Sequence, residues 1–194
     1  MKLFVSLVCM LVFLSANAQK NPDEQKPWDL DQSVMDMNYW PHKYPLLKRA
    51  GRAKAMPVAR VIYSRPLKNG RIIFGRGKPQ PYGEVWRLGG NEATEIEFFS
   101  NVKIGGKLIT KGRYTMYCIP EEDTWTIIIS SDNYVWGHFS YRESKDVVRK
   151  TVTLSRDNEV IEAFTMYFED TRTGANLIML WDDIKAVLPI TLVK

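Results

Sequence analysis

From residue 58 to the carboxyl terminus the chain consists of short runs in which large apolar and polar residues alternate, each closed by turn-forming residues. The runs are VARVIYSR, RIIFG, TEIEFFS, VKIGGKLI, RYTMYCI, TWTIIIS, VVRKTVTL, VIEAFTMYFE, LIMLWDD and IKAVLPITLV. Alternation with a period of two is the mark of a half-buried β-strand, and β-branched and aromatic residues dominate it. The turns are explicit: GG at 105–106, TKG at 110–112, PEED at 120–123, RDNE at 156–159 and TRTGAN at 171–176. Such residues supply positive φ or side-chain hydrogen bonds where a chain reverses. No helical period of comparable length competes. The spacing predicts an all-β domain over 58–194, an antiparallel β-sandwich or jelly-roll-like fold of about ten strands.

The first 57 residues differ. Lys2 is the sole charge before the apolar run LFVSLVCMLVFL, and ANA at 16–18 has the small-x-small form of a cleavage site. Residues 1–18 therefore read as a secretory signal peptide cut after Ala18, which implies a periplasmic or secreted protein with no stable membrane anchor. The run is shorter than the ~20 apolar residues of a membrane span. Val8 stands where a lipidated cysteine at position 9 would need a small neighbour. Residues 19–57 form a linker and an extended amino-terminal arm. NPDEQKP has linker composition, but Trp28, Met35, Met37, Tyr39, Trp40 and Tyr44 are too many large apolar groups for a solvated tail. The arm is expected to lie against the domain, along an exposed edge or in a groove.

Composition excludes more than it selects. The chain carries +5, about +4 once Lys2 is set aside, with signs interspersed. Nucleic-acid recognition calls for a denser basic surface and a recognisable module, and neither is present. Beyond the leader only Cys118 remains, so no internal disulfide can form and stability rests on packing. His42 and His138 are the two histidines, and no closely spaced His, Cys or carboxylate set suggests a metal or cofactor. DLDQSVMD lacks the glycine and terminal glutamate of a calcium loop.

One stretch invites a functional reading. In VWRLGGNEAT, 85–94, a two-residue turn at Gly89-Gly90 would set Arg87 opposite Glu92. Alternation would then place Glu92 and Thr94 on the face of Ile96 and Phe98, and Glu95 and Glu97 on the wet face. Arg87 and Glu92 would share the core side as a desolvated pair, whose Coulomb gain roughly cancels its dehydration cost. Such a pair either sets register or lines a pocket.

Four separated motifs, VIYSRPLKNGRIIFG (61–75), PYGEVWRLGGNEATEIEF (81–98), GKLITKGRYTMYCIP (106–120) and WGHFSYRESKDVVR (136–149), together resemble domain-of-unknown-function family 2911. The likeness spans roughly residues 56–191. It implies an exported β-rich protein of Gram-negative bacteria and supplies no catalytic residue. Gly90 stands where many members have Ala.

Three functional readings follow. The first is a binding module for an envelope glycan, a small anionic ligand or a protein segment, its lining Arg65, Trp86, Arg87, Asn91, Glu92, Thr94 and Trp136. Arginines fork onto carboxylates or phosphates, and exposed tryptophans stack on sugars or rings. The second is a hydrolase of envelope sugar or ester using Glu92 and His138 as acid and base, although no G-x-S-x-G is present and VWGHFSYR reads as an aromatic strand. A carboxylate pair would need a distant partner such as Asp146 or Asp182. The third is an interaction module docking through edge strands or the arm. Binding without catalysis is the leading reading.

Overall fold

The computed structural model describes residue 31 and residues 33–193. The expected signal peptide with its cleavage position, the expected NPDEQKP linker and Trp28 lie outside the described residues. Two antiparallel sheets pack face to face. The first, of six strands, has the order β1 (Met35–Trp40), β2 (Ala59–Ser64), β3 (Glu95–Phe98), β6 (Gly112–Pro120), β7 (Thr124–Ser130), β8 (Asp146–Thr153). The second has the order β5 (Lys107–Ile109), β4 (Val102–Ile104), β10 (Gly174–Leu192), β9 (Ser155–Thr171). The fold is an all-β sandwich; α1 (Tyr44–Arg49) is a single short helix in the arm.

Alternation decides which residues face inward. In β7 Trp125, Ile127 and Ile129 are buried in the main core, where they meet Met116 and Cys118 of β6. From the other sheet come Phe164, Met166 and Phe168, and Leu177, Met179 and Trp181. At the centre Trp86 stacks on Trp181 at 5.6 Å and takes Trp125 and Phe164 edge-on at 5.6 and 5.2 Å. Aromatic contacts of this kind add ~0.5–1.5 kcal/mol each beyond the area they bury.

The arm is an integral edge. β1 pairs with β2 along its whole length, Met35 opposite Ser64 through Trp40 opposite Ala59. Trp40 is buried, its indole N–H donates to Asp170 Oδ1 at 2.8 Å, and its ring faces Phe168. The large apolar groups of the arm thus have a partner surface.

Four predicted runs differ in detail. RIIFG is not a strand: Ile73 and Phe74 are buried in the core, and only an isolated bridge joins Phe74 to Gln80. LIMLWDD and IKAVLPITLV are continuous within β10, yet they do not form one straight rod. A 19-residue strand would span ~60 Å, whereas Leu192 N–H donates to Thr173 O at 3.0 Å. The chain therefore reverses inside β10, where Asp182 has φ 58° and the register with β9 slips. The RDNE stretch is bowed out opposite this point, between the pairings Ile161–Asp182 and Arg156–Ile184. VWGHFSYR, finally, is a loop, because Tyr134 and Gly137 take positive φ and break the alternation.

Candidate functional site

The Gly-Gly stretch is not a hairpin, since the chain does not reverse there. Trp86 and Cys118 exchange both backbone hydrogen bonds, at 2.7 and 2.8 Å, on the side of β6 that also pairs with β3. Beyond the glycines Met116 N–H donates to Thr94 O at 2.7 Å, and the pairing continues from Glu95 opposite Thr115. Trp86 and β3 thus lie in one lane and run in one direction, with residues 88–93 looped out between them. Thr94 N–H donates to Arg87 O at 3.1 Å and closes the base of the loop.

The physical reason lies in the backbone. Leu88 and Asn91, which flank the glycines, take the positive φ values, 56° and 54°. The glycines serve close approach instead. A Cβ on Gly89 would stand 3.2 Å from Ser64 O, and one on Gly90 would stand 2.9 Å from Ser33 Oγ. Bare glycine lets the loop lie against β2 and the arm.

This corrects the Arg87–Glu92 pair. With six residues looped out, Trp86 occupies the inward register position that a hairpin assigns to Glu92, and Trp86 is 1% exposed. Arg87 falls between the core residues Trp86 and Leu88 and turns to the outer face. Glu92 is exposed and bridges to Trp136 by backbone. Thr94, Ile96 and Phe98 do face inward. On the outer face Glu97 pairs with Arg60 at 2.7 Å and Glu95 with Arg113 at 3.6 Å.

A second loop covers the same outer face. Residues 91–93 pair with 135–137: Ala93 N–H donates to Val135 O at 3.1 Å, and Gly137 N–H donates to Asn91 O at 2.9 Å. Beneath them Ala93 packs with Tyr117 and Ile128, with Val85, Val135 and Tyr141 around. The far end of the second loop is locked. Tyr141 O–H donates to Asp146 Oδ2 at 2.6 Å and accepts from Arg149 Nη2 at 2.6 Å. Burial first, and then the hydrogen bond to Asp146, push the Tyr141 hydroxyl up to about 12.

At the base of the first loop stands an arginine without a counter-ion among the described residues. Among the described residues the Arg87 side chain makes no hydrogen bond or ion pair, and its Nε is shut off from solvent with no acceptor. Burial lowers its pKa below the usual arginine value, but a guanidinium stays protonated, so the charge persists. His138 feels it. Burial and then the Arg87 charge hold that imidazole below 6.5, with Glu84 opposing, and its Nδ1 is likewise buried without a partner. The His138 ring lies on Phe139 at 5.0 Å, and the Phe139 ring on Trp136 at 5.9 Å and 17°. Trp136 is 54% exposed and Phe139 75%. Gly137, at φ 69°, has no Cβ to strike the Phe139 ring, which would lie 2.9 Å away.

Of the predicted lining, Arg87 and Trp136 therefore stand on the two paired loops, linked through His138, whose imidazole feels the Arg87 charge, and Asn91 and Glu92 contribute the backbone that joins the loops. Trp86 is in the core, its indole N–H donating to Gly89 O at 3.1 Å. Thr94 is buried, its hydroxyl donating to Leu88 O at 2.5 Å. Arg65 is engaged elsewhere, holding Phe164 O, Thr165 Oγ1 and Asp36 at 3.1, 2.8 and 3.3 Å. Phe139 is the residue that sequence reasoning missed. Its signal was the glycine between Trp136 and His138, which marks exposed aromatics in a loop. No group of three or more His, Cys, Asp or Glu that could hold a metal ion occurs among the described residues.

A family model described as "Protein of unknown function (DUF2911)" matches residues 50–190. The chain belongs to this family. The match takes in β2 to β9, most of β10 and both loops of the outer-face patch, and leaves out β1 and α1 of the arm. No curated protein and no solved structure matches the chain.

Proposed function

We propose that this DUF2911 domain is a binding module, and that its site is the patch where Arg87 meets the loop bearing Trp136, His138 and Phe139. One observation carries the reading: a half-buried guanidinium with no acceptor among the described residues, its charge felt by the His138 ring of an aromatic stack whose other members are exposed. A desolvated donor left unpaired costs ~1–3 kcal/mol, and a ligand bearing an anionic group would supply the missing acceptor. The rings would hold its apolar face.

Binding accounts for the patch better than hydrolysis does. Glu92 is exposed, and its contact with the second loop is made by backbone, at Trp136. Export belongs to the same reading: the leader at 1–18 would carry the domain to the periplasm or beyond, where envelope ligands are found. Among the described residues no helix is long and apolar enough to cross a membrane.

The test is a thermal-shift screen of small carboxylates, phosphates and acidic and neutral oligosaccharides, with the wild type and a Trp136→Ala, Arg87→Gln double variant. A shift in the wild type that vanishes in the folded double variant supports the reading. No shift with any compound, or shifts that survive in the variant, contradict it.

A further inference from the structure

The patch is open, and its openness selects among anionic ligands. Small acids gain affinity by burial, with ~70–90% of their surface enclosed in a concave site. Here Tyr134, Trp136 and Phe139, all in one loop, are 78%, 54% and 75% exposed. A monomeric acid laid on such a surface would stay mostly in water. A polymer can use it, because adjoining residues extend the contact along the loop and each need gain only a little.

The charge distribution narrows the polymer further. The neighbouring arginines are occupied: Arg142 pairs with Asp132 at 2.8 Å, Arg149 with Asp146 at 2.7 Å and Arg113 with Glu95 at 3.6 Å. Among the described residues Arg87 is left as the unpaired arginine, its charge felt by the His138 ring of the aromatic stack. A phosphodiester backbone is held by a groove of several cations that tracks successive phosphates, and this arrangement does not provide one. One guanidinium beside a flat aromatic surface suits a pyranose that bears a single carboxylate. The C–H face of the sugar lies on the ring, while the carboxylate takes the forked donors of arginine.

We infer that the ligand of this site is an acidic polysaccharide, with a uronate residue seated on Trp136 and its carboxylate on Arg87. The inference rests on the proposed binding site and adds the class of ligand.

The experiment is calorimetric titration of the protein with polygalacturonate, neutral dextran, free galacturonate and poly(dT), repeated with Trp136→Ala and Arg87→Gln. Each variant is first checked for an unchanged circular-dichroism spectrum. Binding of polygalacturonate is expected to weaken roughly tenfold or more in each variant, and to weaken as salt is raised. Dextran, the monomer and poly(dT) should bind at least tenfold less tightly. Dextran binding equally well, with loss in Trp136→Ala, overturns the acidic class while the binding site stands. Equal binding of the monomer overturns the polymer, and equal binding of poly(dT) overturns the sugar. No binding of polygalacturonate, or binding unaffected by both variants, overturns the inference. In that last case the small-compound screen still decides separately whether the patch binds anything.

Discussion

Replacing Arg87 by methionine separates a ligand-binding arginine from a structural one. Methionine retains an unbranched apolar stem of similar reach, so the packing of the stem is largely kept. No hydrogen bond or ion pair among the described residues is lost, because the side chain makes none. What disappears is a desolvated charge and, at Nε, one donor closed off from water. Leaving such a donor unsatisfied costs ~1–3 kcal/mol. The Nη groups of this half-buried side chain keep part of their hydration, so the lower half of that range applies. Arg87→Met is expected to be more stable than the wild type by about 1 kcal/mol. For a domain of this size that corresponds to a melting temperature ~2–4 °C higher. The assay is urea unfolding followed by tryptophan fluorescence, with an unchanged m-value as the control that only stability has moved. Binding of acidic polysaccharide should be lost in the same variant. A stability loss of ~1 kcal/mol or more would mean that Arg87 holds the fold together, and would remove the case for a cation kept for a ligand.

Three further outcomes follow from the geometry. Thr94→Val keeps the side-chain volume but leaves Leu88 O without its donor, so it should cost ~1–3 kcal/mol. Thr94→Ser keeps the hydroxyl and should cost about 1 kcal/mol or less, so equal stability of the two variants in urea unfolding contradicts the loop closure described. Cys118 is fully buried and its thiol is pushed well above the ordinary range by burial; its own peptide should resist alkylation in the native protein and react only on unfolding, as read by mass spectrometry. The His138 imidazole lies below 6.5 in the folded chain, so the unfolded chain takes up this proton first as pH falls. Its contribution to stability is full above about pH 6.5 and declines as pH drops through that value towards the folded pKa. A stability profile from pH 5 to 8 that is no flatter for His138→Gln than for the wild type would contradict that environment.

The fold was legible in the sequence because period-two alternation is a local property. β2, β3, β6, β7 and β8 match the predicted runs to within about two residues at each end. The edge role of the arm was legible too, since Trp40 and its neighbours needed a surface to cover. The site was legible only in part. Arg87 and Trp136 were found by residue type, as a cation and a large ring near turn residues. Their placement was not found, because a double glycine signals hairpins more often than close approach. At this position positive φ falls on Leu88 and Asn91, which are unusual hosts for it. Once residues 88–93 loop out, Trp86 takes the inward position and Arg87 the outward one. Alternation remained valid on both sides of the loop. What failed was the assumption that the chain reversed. The stack of His138, Phe139 and Trp136 was beyond a one-dimensional reading, because the loop is shaped by its pairing with residues 91–93.

The most direct test watches the Arg87 guanidinium itself. In an ¹⁵N-resolved NMR titration, the Nε–Hε resonance of Arg87, assigned by its disappearance in Arg87→Lys, is followed as polygalacturonate is added. Before addition the resonance should have the position of a donor without an acceptor. It should then move saturably with the acidic polymer and stay in place with dextran. A resonance that already reports a hydrogen bond in the free protein, or one that does not move through saturation of the protein, would contradict the central claim that this cation awaits an outside partner.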